Sequence, residues 1–164
     1  MRFTLLDRIT SLDPNTKITA VKNLTMAEEY LGDHFPHFPV MPGVLMLEAM
    51  IEAGAWLIRA SEDFAHSIVV LRKAGNVKYG QFVQPGQTLQ VSAEILNQAD
   101  GEIKIKARGT MNGRLTVAGR LTLRSYNLAD ADPSCEKTDE QVRNEMRKLF
   151  RLLYDPNRPP EETA

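Results

Sequence analysis

The sequence predicts an α+β fold in which an antiparallel β-sheet wraps one long apolar helix. Three observations predict it. Within residues 87–125, three runs alternate apolar and polar positions at period two: Leu89, Val91, Ala93 and Ile95; Ile103, Ile105 and Ala107; Leu115, Val117, Gly119, Leu121 and Leu123. Asp100-Gly101 and Asn112-Gly113 separate these runs. Both dipeptides suit the positive φ of tight hairpins, so the segment reads as a three-stranded meander. Before it, residues 42–59 are apolar on more than one helical face, through Val44, Leu45, Leu47, Met50, Ile51, Ala55, Leu57 and Ile58. A helix of that kind is enclosed by other structure, and here only a sheet is present to enclose it.

The remaining elements follow in order. Residues 3–10 form a short apolar segment ending in Asp7-Arg8, and Asp13-Pro14-Asn15 is a turn. Lys17 to Thr25 alternates loosely and reads as a strand, and residues 26–32 as a short helical turn. A loop follows that Pro36, Pro39 and Pro42 hold out of helical conformation. Pro42 suits a helix start, where its missing N–H has no partner in any case. Ser61-Glu62-Asp63 ends that helix. Ser67 to Leu71 and Asn76 to Val83 are two candidate strands, the second closed by Gln84-Pro85-Gly86.

Beyond the meander, residues 127–137 read as a polar linker. Thr138 to Leu153 reads as a helix with an apolar stripe of Val142, Met146, Leu149, Phe150 and Leu153. Thr138 and Gln141 have capping-box spacing, and Asp155-Pro156 stops the helix. The tail from Arg158 is expected to be disordered. The chain thus divides into a sheet-and-helix domain, 1–126, and an appendage, 127–164, with its helix at about 138–154.

Composition limits the functions open to it. With 164 residues, one domain can bury roughly 70% of its unfolded surface. A net charge of −1 gives no reason to expect a nucleic-acid partner. The one cysteine, Cys135, excludes an internal disulfide and fits a reducing compartment. No stretch has the apolar length of a signal peptide or a membrane span, so a cytoplasmic protein is expected.

Two polar residues stand out against the apolar wall: His34 in the loop and Glu48 on the helix. Either is open to a structural reading. A buried unpaired carboxylate is costly, however, and burial would raise its pKa and let it hold a proton near neutrality. Beside a neutral histidine, such an acid makes an acid–base pair with separated roles. Gly43, at the helix start, offers a backbone N–H that a ligand can approach, or serves turn geometry alone. Glu52, four residues after Glu48, shares its face, or instead points to a polar rim or pairs with Arg59 or another basic residue. His34, His37, Asp33 and Glu48 make a poor metal set, because the histidines sit in a proline-broken loop with no cysteine near. Met41, Met46 and Met50 are flexible core fillers that also suit the wall of an acyl-chain tunnel.

The run His34-Phe35-Pro36-x-x-Pro39-Val40-Met41-Pro42-Gly43-Val44-Leu45-x-x-Glu48-Ala49-Met50 resembles the signature of FabZ-type 3-hydroxyacyl-[acyl-carrier-protein] dehydratases. The likeness extends to Leu6-Asp7-Arg8, to Ala20–Thr25, and to Lys78-Tyr79 with Val83-Gln84-Pro85-Gly86, covering about residues 3–125. The resemblance implies a hotdog fold and a homodimer, often a trimer of dimers. It implies an active site shared between subunits, with the histidine from one and the carboxylate from the other. It implies that His34 removes the C2 proton, Glu48 protonates the departing hydroxyl and the Gly43 N–H binds the thioester oxygen. The product would be a trans-2-enoyl thioester of fatty-acid biosynthesis. No metal or organic cofactor is implied, and the acyl chain, reaching past Phe35 toward Met41, Met46 and Met50, would arrive on the phosphopantetheine arm of acyl carrier protein. His37 stands where the family usually has glycine, and Glu52 where it usually has glutamine. Asn76, Phe82 and Gln87 depart as well. Those departures keep two alternatives open: a hotdog protein that binds acyl thioesters without turnover, and a dehydratase or hydratase of a specialised lipid, polyketide or CoA-thioester pathway.

Overall fold

The computed structural model describes residues 4–157, and the expected tail from Arg158 lies outside them. Six strands form one antiparallel sheet: β1 (Arg8–Asp13), β2 (Lys17–Asn23), β3 (Ile68–Tyr79), β4 (Thr88–Ala99), β5 (Glu102–Met111) and β6 (Arg114–Tyr126). Their order is β1-β2-β4-β5-β6-β3, so β1 and β3 are the edges. The helix α1 (Gly43–Ser61) lies in the hollow of the sheet, and α2 (Glu136–Leu153) follows the last strand. This is the hotdog arrangement.

The meander is as expected, and its turns show why. Asp100 and Gly101 have φ of 54° and 73°, and Asn112 and Gly113 have 50° and 73°. Both positions of each turn are left-handed, which is the conformation a two-residue hairpin needs. The inward residues Leu89, Val91, Ala93, Ile103, Ile105, Ala107, Val117, Leu121 and Leu123 are all buried. They pack on Met46, Ala49, Met50, Ala53, Trp56, Leu57 and Ile58 of α1. A Cβ built on Gly54 would stand 2.4 Å from Ile105 Cδ1. The small residues of α1 therefore let helix and sheet approach closely.

Three expectations are corrected. The two candidate strands after α1 are one, β3, which bends through register shifts at Leu71/Lys73 and Gly75/Lys78. Those irregularities break the period-two pattern, and so the sequence reads as two pieces. Residues beyond Tyr79 leave the strand.

The second correction concerns α2, which starts at Glu136, not Thr138. The capping box forms earlier, between Asn127 and Asp130 around the 3₁₀ turn Leu128–Asp130. The supposed linker is thus tied to the core. Asp139 is fully buried and accepts hydrogen bonds from the Ser67 hydroxyl, from Leu128 N–H at 3.0 Å and from Ala129 N–H at 2.8 Å. The α2 stripe packs on the same chain: Phe150 lies 5.9 Å from the Trp56 ring and 5.4 Å from Phe64.

The third correction is that α1 is not enclosed all round within one chain. Val44 is 68% exposed, and Glu48, Ile51 and Ala55 are half-buried along the same flank. Among the described residues, no helix is long and apolar enough to cross a membrane.

Candidate active site

The loop from His34 to Val40 is closed by its own backbone. Val40 N–H donates to the His34 carbonyl at 3.2 Å, and Phe38 N–H to the Phe35 carbonyl at 2.9 Å. The His34–Phe35 peptide is cis, and the two rings stack at 4.3 Å. His34 N–H donates to the Tyr30 carbonyl at 3.0 Å, which ties the loop to the 3₁₀ turn Glu29–Gly32. The imidazole Nδ1 lies 3.1 Å from the Val40 carbonyl oxygen. A carbonyl can only accept, so Nδ1 carries the hydrogen of this bond and Nε2 keeps its lone pair. The loop therefore fixes both the ring orientation and the basic nitrogen.

Gly43 opens α1, with Pro42 as its N-cap. The N–H groups of a first helical turn have no intrahelical acceptor and carry the positive end of the helix dipole. A Cβ at Gly43 would come within 3.1 Å of Tyr79 Cε1. The absence of a side chain lets the Tyr79 ring close over the helix start. Met41 N–H donates to the Val83 carbonyl at 2.8 Å and anchors the approach to the helix.

Glu48 projects one turn further along the open flank. Near-complete enclosure of this carboxylate was expected; in the single chain it is half-buried. Among the described residues no hydrogen bond joins His34 to Glu48. Large apolar side chains surround this end of the molecule and remain exposed: Phe35 at 51%, Phe82 at 60% and Tyr79 at 50%, beside Val44. Phe38 meets Phe82 edge-on at 5.7 Å.

Glu52 feels Glu48, as its place on the same face implies, and it also has a structural job that was not expected. Its Oε2 accepts the Leu5 N–H at 2.8 Å and the Leu6 N–H at 3.2 Å, and its Oε1 the Trp56 indole N–H at 3.4 Å. It faces neither a polar rim nor Arg59, which donates to the Ser67 carbonyl at 2.9 Å and the His66 carbonyl at 3.3 Å. Three donors converge on Glu52, which explains an acceptor-only carboxylate where an amide would oppose one N–H with another. Burial pushes its pKa above the ordinary carboxyl range. The three N–H bonds pull it back, and Glu48 adds to the rise.

Gly43 opens α1, Glu48 lies in its second turn, and His34 sits in the loop that precedes them. His37 is exposed in the loop, and Met41, Met46 and Met50 are buried in the core. No cluster of three metal-ligating side chains occurs among the described residues. Sequence reasoning missed two participants. The Val40 carbonyl sets the tautomer, but a backbone atom leaves no trace in residue type. Tyr79 covers Gly43, and no periodicity relates them across 36 positions of chain.

The six-stranded antiparallel sheet and the helix in its hollow define a hotdog fold. Residues 1–120 match the FabA-like domain family, and the chain belongs to that family. It is 36% identical to the 3-hydroxyacyl-[acyl-carrier-protein] dehydratase FabZ of Janthinobacterium sp. (strain Marseille), over 79% of this chain and 85% of that one. It is 38% identical to the FabZ of Rickettsia rickettsii (strain Sheila Smith), over 73% of this chain and 83% of that one. Among solved structures, the dehydratase heterocomplex ApeI:P from Xenorhabdus doucetiae superposes with a TM-score of 0.63 at 16% identity, covering 81% of this chain and 90% of that one. At that identity the match speaks to the fold alone.

Proposed function

We propose that the protein dehydrates 3-hydroxyacyl-[acyl-carrier-protein] thioesters to trans-2-enoyl thioesters and water in fatty-acid biosynthesis. The observation that carries this reading is the fixed tautomer of His34, in a chain whose relatives are named for that reaction. Nε2 of His34 takes the C2 proton. The thioester oxygen, gaining negative charge, is met by the Gly43 N–H; a donor so placed is worth roughly 3–4 kcal/mol to the transition state. Glu48 delivers a proton to the 3-hydroxyl as it leaves, and C2=C3 forms. The proton gained by His34 returns to Glu48 through the released water, so the pair is restored for the next turnover.

The site is completed by a second copy of the chain, with His34 of one subunit working with Glu48 of the other. Exposed Phe35, Phe82, Tyr79 and Val44 support this, since patches of that kind mark contact surfaces. So does β3, an edge strand whose free backbone groups can pair with a copy of itself. Three such dimers joining into a hexamer is the larger assembly the reading allows. The acyl chain passes Phe35 and displaces the flexible Met41, Met46 and Met50 side chains, which yield more readily than branched ones. Glu52 and His37 modulate the site from outside the reacting pair.

The test follows the enoyl thioester absorbance with 3-hydroxyacyl groups on acyl carrier protein. Wild type turns over, and His34→Ala does not. Appreciable activity in His34→Ala sinks the mechanism, and an inert wild type that still binds the thioester favours a binding protein. Faster turnover of the CoA thioester than of the carrier-linked one moves the protein to a CoA pathway.

A further inference from the structure

Lys22 stands where the fold calls for an apolar residue. In β2, Ile18, Ala20 and Lys22 alternate onto the inner face of the sheet, and all three are buried. Lys22 lies opposite the core residue Leu89 and is 5% exposed. Its ammonium donates to Oε1 of half-buried Glu28. A buried ion pair adds little stability over apolar residues of similar size, so stability alone does not account for it. Its place in the fold shows another use. Glu28 is the N-cap of the 3₁₀ turn Glu29–Gly32, yet its side chain makes no cap hydrogen bond to that turn. A single 3₁₀ turn does not hold its own position. From this turn the Tyr30 carbonyl accepts the Asp33 N–H at 3.3 Å and the His34 N–H at 3.0 Å. Through residues 25–40 the backbone hydrogen bonds close within the segment, and among the described residues none joins it to the rest of the protein. Such ties come only at its two ends, from Leu24 N–H to the Gln87 carbonyl at 2.9 Å and from Met41 N–H to the Val83 carbonyl at 2.8 Å. Leu31 and Tyr30 press on the core between them, but apolar contact sets no direction. The Lys22–Glu28 bond is a directional tie into the middle of the segment. The buried Tyr30 hydroxyl shows how dry the place is: burial first, then Glu28 and Asp7, push its pKa above the ordinary phenol value. A charge-assisted hydrogen bond is strong in such surroundings.

Resting on the dehydratase reading, we infer that the buried Lys22–Glu28 pair is a positioning device for the base: it fixes the turn whose Tyr30 carbonyl holds the His34 backbone, and so aims the His34 imidazole. The link runs from a paired strand of the sheet, through Lys22 and Glu28, to Tyr30 and then to His34. The Val40 carbonyl decides which ring nitrogen is basic, and the pair decides where that nitrogen stands. Neither Lys22 nor Glu28 transfers a proton. A shift of about 1 Å in a reacting group costs about 10²-fold in rate, so a tie distant from the reacting atoms acts on kcat more than on stability.

The experiment uses Lys22→Met/Glu28→Leu, which removes both charges together and leaves neither unpaired. Its Tm stays within about 2 °C of wild type or rises. With 3-hydroxybutyryl-[acyl-carrier-protein] its kcat falls about 10- to 100-fold while KM changes less than about twofold. Hydrogen exchange followed by mass spectrometry reads the loop without reference to activity. Exchange across residues 30–38, which include the Asp33 and His34 amides bonded to Tyr30, speeds about tenfold or more, while the amides of β5 keep their wild-type rates. Glu28→Ala shows the same split in kcat and exchange, and Glu28→Gln, which keeps an acceptor for the ammonium, loses less of both. Wild-type kcat with wild-type exchange in the double variant overturns the inference. So does a fall in kcat with exchange unchanged, since the pair would then act other than through the loop. Faster exchange with kcat unchanged overturns it too, because the order of the loop would not be what aims the base. If wild type turns over no thioester, the dehydratase reading fails, and the exchange measurement still decides whether the pair holds the loop.

Discussion

The two ends of α1 treat their polar groups in opposite ways. At the start, the His34 side chain bonds only the Val40 carbonyl of its own loop, Glu48 makes no hydrogen bond among the described residues, and apolar rings stand in solvent. At the far end the polar side chains that are not exposed have partners. Arg59 caps two carbonyls, Glu62 joins His66 at 2.8 Å and Ser125 at 2.9 Å, and Asp139 satisfies three donors beneath an aromatic cluster. Saturated hydrogen bonding fixes one arrangement and leaves nothing for a ligand. Groups left free at the other end are available to a substrate or to a second subunit. Both ends are rich in polar residues, so residue type alone does not tell a reactive cluster from a structural one; the state of its partners does.

The largest expected effect tests the reactive end. His34→Ala and Glu48→Gln each lower kcat by about 10²–10⁴-fold, the range for losing a general acid or base. Thermal unfolding of both variants stays within about 2 °C of wild type, since neither side chain holds the core. A large fall in Tm with either substitution would show that this end is structural too.

Asp139→Ala gives the mirror image. It strands the Ser67 hydroxyl and the Leu128 and Ala129 N–H groups in a buried place. The expected loss of Tm is about 5–10 °C, with kcat at 25 °C within about twofold. Differential scanning fluorimetry beside the thioester assay reads both. A variant that stays equally stable but loses turnover would move Asp139 into the reactive group and erase the contrast.

How legible the two ends are in the sequence follows from the same difference. The meander was readable because alternation and Asp-Gly and Asn-Gly turns are local signals. The candidate site was readable as a linear motif, since the proposed residues His34, Gly43 and Glu48 fall within one short run. What was not readable depends on distant partners. Asp139 looks like an ordinary surface acid in a first helical turn until Ser67, 72 positions away, comes to meet it. Glu52 reads as a second acid beside Glu48, which it is, but its bonds to the backbone of Leu5 and Leu6 leave no mark in the sequence. The break of β3 at its bulges was hidden for a similar reason, because pairing with β6, and not alternation, carries the strand through.

Gly43→Ala is expected to be intermediate in effect. The new methyl meets Tyr79 Cε1 at 3.1 Å, tight for a Cβ contact, but Tyr79 is half-exposed and can tilt away. Stability falls by little, about 2 °C or less. The displaced ring and the methyl crowd the N–H proposed to meet the thioester oxygen, and kcat/KM is expected to fall about tenfold or more. A change confined to Tm would make Gly43 a packing glycine and remove the oxyanion donor from the site.

The smallest effect separates the two buried carboxylates by the sign of their pH dependence. Burial, with Glu48 beside it, raises the Glu52 pKa more than its three N–H donors lower it. The folded state therefore holds that proton more tightly than the unfolded chain, whose glutamate titrates near 4.3. The stabilisation is complete below that value and is lost as pH rises through the folded pKa. Asp139 runs the other way. Burial would raise its pKa, but the Ser67 hydroxyl, the Ala129 and Leu128 N–H groups and Arg143 hold it below the usual range. Its stabilisation is present above the unfolded value of about 3.9 and is lost as pH falls through the folded one. Glu52→Gln removes only the first term. The difference in Tm, variant minus wild type, should thus climb by about 1–3 °C between pH 4 and pH 7. Loss of the long Trp56 bond lowers the whole curve without changing its slope. A difference that stays flat across that range would mean Glu52 keeps an ordinary pKa, and that its N–H donors fully offset its burial.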